Sequence, residues 1–279
     1  MEKAIKREDI LKSLRAKIAA GIPVIGSGAG TGISAKSEEL GGTDMIICYN
    51  SGAFRMQGRP SACGHQPLGD ANTTLMELAA QVLPVVDHTP VIAGVYAPDP
   101  FRFMSRFLKE VKEVGFSGVQ NFPTYGCYEG KVKAELEQVG FSYQREVDMI
   151  KMARDMDLLT TPYVYDLDHT ERMVKAGADI IVAHCGCTVG GTIGVDDTVA
   201  MALDESCKFI QEIHDYAVSI NPDIIVIAHG GPVATPEDFK YVFQHTKGVA
   251  GFYGASSMER LPVERAISEC VQKFAAVRR

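Results

Sequence analysis

Two histidines end runs that share one grammar: Ile180-Ile-Val-Ala183 leads into His184, and Ile224-Ile-Val-Ile-Ala228 leads into His229. Each run is apolar without alternation, as in parallel strands buried on both faces, so both imidazoles stand at strand ends. Neutral imidazole donates or accepts a proton near pH 7, or ligates a metal, which makes His184 and His229 the leading acid–base candidates. Asp166, after another strand-like run, either orients His184 or caps the helix behind it. Glu259, beyond the last run, is the reserve proton carrier. His65, His88, His169, His214 and His245 fall outside the strand ends or on helices and read as surface residues.

Glycine and small polar residues gather at the same strand ends. Gly26-Ser27-Gly28-Ala29-Gly30-Thr31-Gly32 lacks the glycine spacing of a dinucleotide fingerprint. It reads either as a nest of backbone N–H groups for an anion or as a tight turn into the next helix. Thr188, Gly190 and Gly191 precede a long helix expected to begin near Asp196 or Asp197, whose N-terminus favours phosphate or carboxylate. Gly230 and Gly231, then Gly254, Ser256 and Ser257, follow the last two runs, where many barrels bind phosphate. Asn50, Ser51 and Asn121, with Ser27 and Gly28, complete the expected small-anion site. Cys185-x-Cys187 has no second ligand pair and Asp99 stands alone at its strand end. No metal site or cofactor is therefore expected, and Mg2+ has a thin donor set.

These residues need a scaffold that brings strand ends together. Eight apolar runs rich in β-branched residues recur, at 23–26, 44–49, 91–96, 118–121, 161–165, 179–183, 223–228 and 249–253. Stripes of helical period lie between them, such as Leu75, Leu78, Ala79 and Val82, and Val199, Leu203, Ile210, Ile213 and Ala217. Strand and helix alternating eight times predicts a single (β/α)8 TIM barrel over residues 23–279, with a preliminary helix at 6–20 across its base. An open doubly wound sheet is the alternative. Val263, Ile267, Val271 and Phe274 mark a closing amphipathic helix.

Of the 279 residues, 46% are hydrophobic and 23% charged, the composition of an ordered globular protein. Lys+Arg 28 against Asp+Glu 35 leaves −7, a field that repels nucleic acid and anionic membranes. The charged N-terminus is unlike a signal peptide and no apolar run approaches the ~18 residues of a membrane span. With seven scattered cysteines in no disulfide-like framework, a cytoplasmic protein is expected.

As a set, the segments 23–36, 49–56, 183–191, 228–232 and 251–262 resemble the phosphoenolpyruvate hydrolase-like family, also called TIM-barrel signal transduction proteins. The resemblance covers nearly the whole chain. It implies a TIM barrel related to the phosphoenolpyruvate/pyruvate group, with oligomeric members and a small carboxylate or phosphorylated substrate. The expected activity is that of a hydrolase or lyase on a small oxoacid or enol-phosphate, by hydrolysis or by C–C or C–P cleavage. A barrel that binds small anions or partners for signalling, without catalysis, is the alternative. In that group the last helix can pack onto a neighbouring barrel, so a homo-oligomer is expected. The group also binds Mg2+ through several strand-end carboxylates, and here the chain departs from it, offering Asp99 and Asn121. Ala62-Cys-Gly-His65 is similar to a loop of the group's lyases, too short a match to assign a role.

Overall fold

A computed structural model of the chain describes residues 4–279. Nine parallel strands form one curled sheet: β1 (Val24–Gly28), β2 (Met45–Cys48), β3 (Val91–Val95), β4 (Gly118–Asn121), β5 (Leu159–Thr160), β6 (Tyr163–Val164), β7 (Ile180–His184), β8 (Ile225–His229) and β9 (Gly251–Gly254). Their spatial order is β5-β4-β3-β2-β1-β9-β8-β7-β6. The two ends of that order are consecutive in sequence, divided only by Thr161-Pro162, where one strand at 161–165 was predicted. Pro162 has no N–H for a ladder, which breaks the strand. The Asn121 side chain repairs the break: its Oδ1 accepts the Tyr163 N–H at 2.7 Å and its Nδ2 donates to Tyr163 O at 3.3 Å. Pro162 O still accepts the Val182 N–H, and Thr161 N–H donates to Val119 O. The segment is thus hydrogen-bonded to β4 on one side and β7 on the other.

The pleat sorts these apolar strands into two cores. Ile46, Cys48, Ile181, Ala183, Val226 and Ala228 face outward to the helices. Met45, Ile47, Tyr49, Ile180, Val182, Ile225 and Ile227 fill the concave side. This period of two fixes where every strand-end side chain points.

Eleven α-helices among the described residues accompany the sheet: α1 (Arg7–Ala19), α2 (Gly32–Leu40), α3 (Asn50–Met56), α4 (Ala71–Val82), α5 (Met104–Val114), α6 (Gly130–Gln138), α7 (Tyr143–Asp155), α8 (Leu167–Lys175), α9 (Leu203–Ile220), α10 (Pro236–His245) and α11 (Arg260–Ala275). Helix α1 places Ile10, Leu11 and Leu14 into the concave core, as the stripe at 6–20 predicted. Arg7 ties it down through a forked contact with Asp179 at 2.7–3.0 Å. Helix α9 begins at Leu203, well after the predicted start near Asp196, and Val199 lies outside it, largely exposed. No helix among the described residues is long and apolar enough to cross a membrane.

Candidate active site at the mouth of the sheet

His184 and His229 end β7 and β8 as register partners, and the pleat turns both inward with Ile180, Val182, Ile225 and Ile227. Their rings lie 4.7 Å apart between centroids. Hydrogen bonding fixes their tautomers. His229 Nδ1 sits 2.6 Å from Tyr253 O, and a carbonyl can only accept, so Nδ1 carries the proton and Nε2 is a bare acceptor. The Tyr163 hydroxyl donates to that Nε2 at 3.3 Å. His184 Nδ1 instead accepts the Gly186 N–H at 3.0 Å, which leaves its proton on Nε2. The neighbours are therefore opposite in kind, one base and one donor. Burial holds both neutral: His229 is pushed down to about 4, and His184 falls well below its ordinary value with His229 and His65 adding to the effect.

They share a cavity of 160 Å3, lined also by Tyr163, Tyr165, His65, Cys127 and Cys187. Tyr163 and Tyr165 alternate along β6 and its extension, so both rings face the imidazoles, at 4.7 and 4.8 Å from His184. The Tyr165 hydroxyl is buried and has no hydrogen-bond partner among the described residues. His65 corrects the surface assignment made from its position: it lies edge-on to Phe122 at 4.8 Å, and burial pushes it down to about 4. His169, also read as surface, is buried and stacks on Tyr143 at 3.8 Å. His65 escaped detection because it comes from a short helical turn, Ser61–His65, well past the end of β2.

Behind the mouth lies a buried ion pair. Glu259 meets Arg55 Nη2 at 3.0 Å and accepts the Gly30 N–H at 2.5 Å. Arg55 also lies over the Tyr49 ring, 5.4 Å from its centroid. Ser27 faces outward, its hydroxyl donating to Glu38 Oε2 at 2.8 Å. Burial, with Glu259 nearby, pushes the Glu38 carboxyl up to about 8.

Of the residues singled out in sequence, His184, His229, Ser51, Thr188 and Ser256 line the cavity. The others do different work. Asp166 caps α8, accepting the His169 N–H at 2.7 Å, and is not hydrogen-bonded to His184. Asn121 repairs the sheet, and Gly28 O accepts from Arg55. Gly30 packs so tightly on Gly52 that a Cβ would stand 2.0 Å from its carbonyl oxygen, which makes the first loop a packing turn. Gly190 N–H donates to Val195 O and Gly231 N–H to Gly186 O, so neither amide is free for an anion. Gly191 lies against Arg260, and Gly230 against the Gly186 carbonyl. Gly254 packs beneath Ser257, whose hydroxyl is buried without a partner among the described residues. With α9 starting at Leu203, its dipole does not reach this loop. Asn50 lines a second cleft next to the mouth.

The donors around the mouth are nitrogen, sulfur, phenol and hydroxyl, with no carboxylate among the lining residues. Mg2+ requires hard oxygen ligands, usually with one or two carboxylates, so the donor set does not fit it. Asp99 is committed to Asn72 at 2.8 Å and Arg102 at 2.6 Å. Asp166, Asp168 and His169 form a group close enough to hold an ion, but they lie on α8, where Asp166 serves as cap.

The ToMV susceptible protein tm-1(GCR26) of Solanum lycopersicum is 54% identical over 272 residues, covering 98% of this chain and 36% of that protein. The ToMV resistance protein Tm-1(GCR237) of the same plant is 53% identical over the same shares. The chain thus spans 36% of the length of these curated relatives. Among solved structures, phosphoenolpyruvate phosphomutase from Streptomyces platensis subsp. rosaceus superposes with a TM-score of 0.60 at 18% identity, covering 95% of this chain and 87% of that one. Phosphonopyruvate hydrolase, solved with oxalate and Mg2+, gives 0.59 at 17%, covering 96% and 89%. Such identities establish a common fold. The profile of the phosphoenolpyruvate hydrolase-like family matches residues 9–277, and the chain belongs to that family.

Proposed function

We propose that this chain is an enzyme that moves a proton on a small oxoacid or enol-phosphate held at the mouth of a single (β/α)8 barrel domain. Counting β5 and β6 as one strand split at Pro162 gives the eight. The opposite tautomers of His184 and His229 carry the reading. A substrate acid proton goes to His229 Nε2, displacing the 3.3 Å bond from the Tyr163 hydroxyl, while the oxygen on which negative charge develops accepts from His184 Nε2–H and the unpartnered Tyr165 hydroxyl. With water as that acid, hydroxide adds to the carbonyl of a 3-oxoacid, and collapse of the oxyanion breaks the adjacent C–C bond while His229 returns the proton to the departing carbon; the same activated water serves hydrolysis. The solved relatives named for phosphonopyruvate hydrolase and phosphoenolpyruvate phosphomutase support this substrate class. The chemistry runs on the chain's own groups, with no step assigned to Mg2+. The test is turnover of phosphoenolpyruvate, phosphonopyruvate and 3-oxoacids after treatment with a chelator. Activity is expected to survive chelation and to fall by ~10² to 10⁴-fold in His229→Asn. Saturable binding without product across the panel would favour a signalling barrel instead.

We also propose a homo-oligomer. Ile267, Val271, Phe274 and Val277 are each 60–75% exposed, and α11 buries only Arg260 and Leu261 against its own chain. A helix with its apolar stripe in water wants a second copy to cover it.

A further inference from the structure

A cleft of 390 Å3 opens next to the 160 Å3 mouth, and His65 forms part of both walls. The cleft is built from rings. Tyr125 and Tyr128 stack at 5.5 Å, the Tyr96 and Tyr125 hydroxyls bond each other at 2.8 Å, and the Tyr128 hydroxyl donates to His65 O at 3.2 Å. With their hydroxyls engaged in these bonds, the tyrosines offer ring surface to an occupant. Phe101 stands at the rim, 91% exposed. Asp70 and Asp99 also border the cleft, and Arg102 meets them at 2.8 and 2.6 Å, so two carboxylates share one cation and a single negative charge is left. One polar atom is left over. Asn50 Oδ1 is buried with no partner among the described residues, while its Nδ2 donates to Gly64 O at 3.0 Å. A buried acceptor left unpaired in this way is satisfied when a ligand brings a donor.

We infer that the substrate has two parts: an oxoacid head in the mouth and a planar ring, bearing an O–H or N–H donor, in the cleft beyond His65. This inference rests on the reading of the mouth as the reacting site. It enlarges the substrate class from small oxoacids to aryl-substituted ones. A ring stacked on Tyr125, Tyr128 or Phe101 gains contact that a bare oxoacid cannot make, and its donor meets Asn50 Oδ1.

The experiment is calorimetric titration of the full chain with pyruvate, phenylpyruvate and 4-hydroxyphenylpyruvate. Phenylpyruvate is expected to bind about tenfold or more tighter than pyruvate, with a further gain for the hydroxyl. In Phe101→Ala and in Tyr128→Ala the ratio of pyruvate to phenylpyruvate Kd should fall towards one. Phe101 is nearly fully exposed, so that variant keeps the test alive should Tyr128→Ala unfold. Equal affinities for the three acids, all weakened by His184→Asn, would overturn the ring site and leave the mouth intact. An aryl gain that survives both variants would also overturn it. Binding indifferent to His184→Asn, or no binding by any of the three, would overturn the reading of the mouth itself.

Discussion

With the mouth empty, His229 is a weak base, because burial holds its imidazole near 4. An anion beside it favours the protonated ring and raises that value. Between about 4 and the raised value the complex holds a proton that the free protein lacks, so binding takes up protons and tightens as pH falls. Oxalate titrated at several pH values, in buffers of different ionisation heat, should show this uptake, and His229→Asn should remove it. Stability carries a second signature. From its ordinary 6.5 down to about 4, the unfolded chain binds a proton at residue 229 that the folded chain does not. That contribution is complete above 6.5 and lost as pH falls to about 4, on the order of 3 kcal/mol. Glu38 runs the other way: its folded value of about 8 against an ordinary 4.5 makes its contribution complete below 4.5 and lost as pH rises to about 8. Denaturant unfolding across pH should therefore show a fall on each side, the alkaline one flattened by Glu38→Gln and the acid one by His229→Asn.

At the scale of elements, two buried charge contacts pin pieces that the strands alone would leave loose. Arg55 on α3 and Glu259 ahead of α11 are both almost fully buried, and Glu259 also holds the β1–α2 loop through Gly30. Glu259→Gln leaves the guanidinium in the interior without its counter-charge, a loss of about 3–5 kcal/mol read from urea unfolding. Turnover surviving in molecules that remain folded would place Glu259 outside the proton path. Arg7 holds α1 to Asp179, which also accepts from Thr160 at the start of the broken strand. Arg7→Ala should cost about 2 kcal/mol and raise amide exchange first in α1, since its fork of charged hydrogen bonds anchors the helix end.

For the whole molecule, the exposed stripe of α11 sets the expectation. Light scattering at micromolar protein should give a multiple of 30.2 kDa, and Ile267→Asp combined with Phe274→Asp should return the monomer mass. A mass of 30.2 kDa for the unaltered chain would refute the homo-oligomer.

What the sequence by itself determined is local in origin. Buried parallel strands must be apolar and β-branched, and a polar residue closing such a run stands at the strand's end, so Ile180–His184 and Ile225–His229 declared both the strands and their histidines. The stripe of Ile10, Leu11 and Leu14 declared α1 in the same way, through its 3.6-residue period. Tertiary structure decided which neighbours those side chains meet. Tyr253 O and Gly186 N–H, one far along the chain and one two residues away, give the imidazoles opposite tautomers that their matching sequence grammar conceals. The loop at Gly30 read equally well as an anion nest or a packing turn, and the loops at Gly190 and Gly231 read as an anion site, until Gly52 took up the space of the first and Val195 and Gly186 the amides of the others. His65 carries no strand signal, and reaches the mouth because the turn at Ser61–His65 forms part of the cavity wall. A period of two or 3.6 is written into a few consecutive residues, whereas a proton's position or an amide's partner is set by groups that only folding brings together.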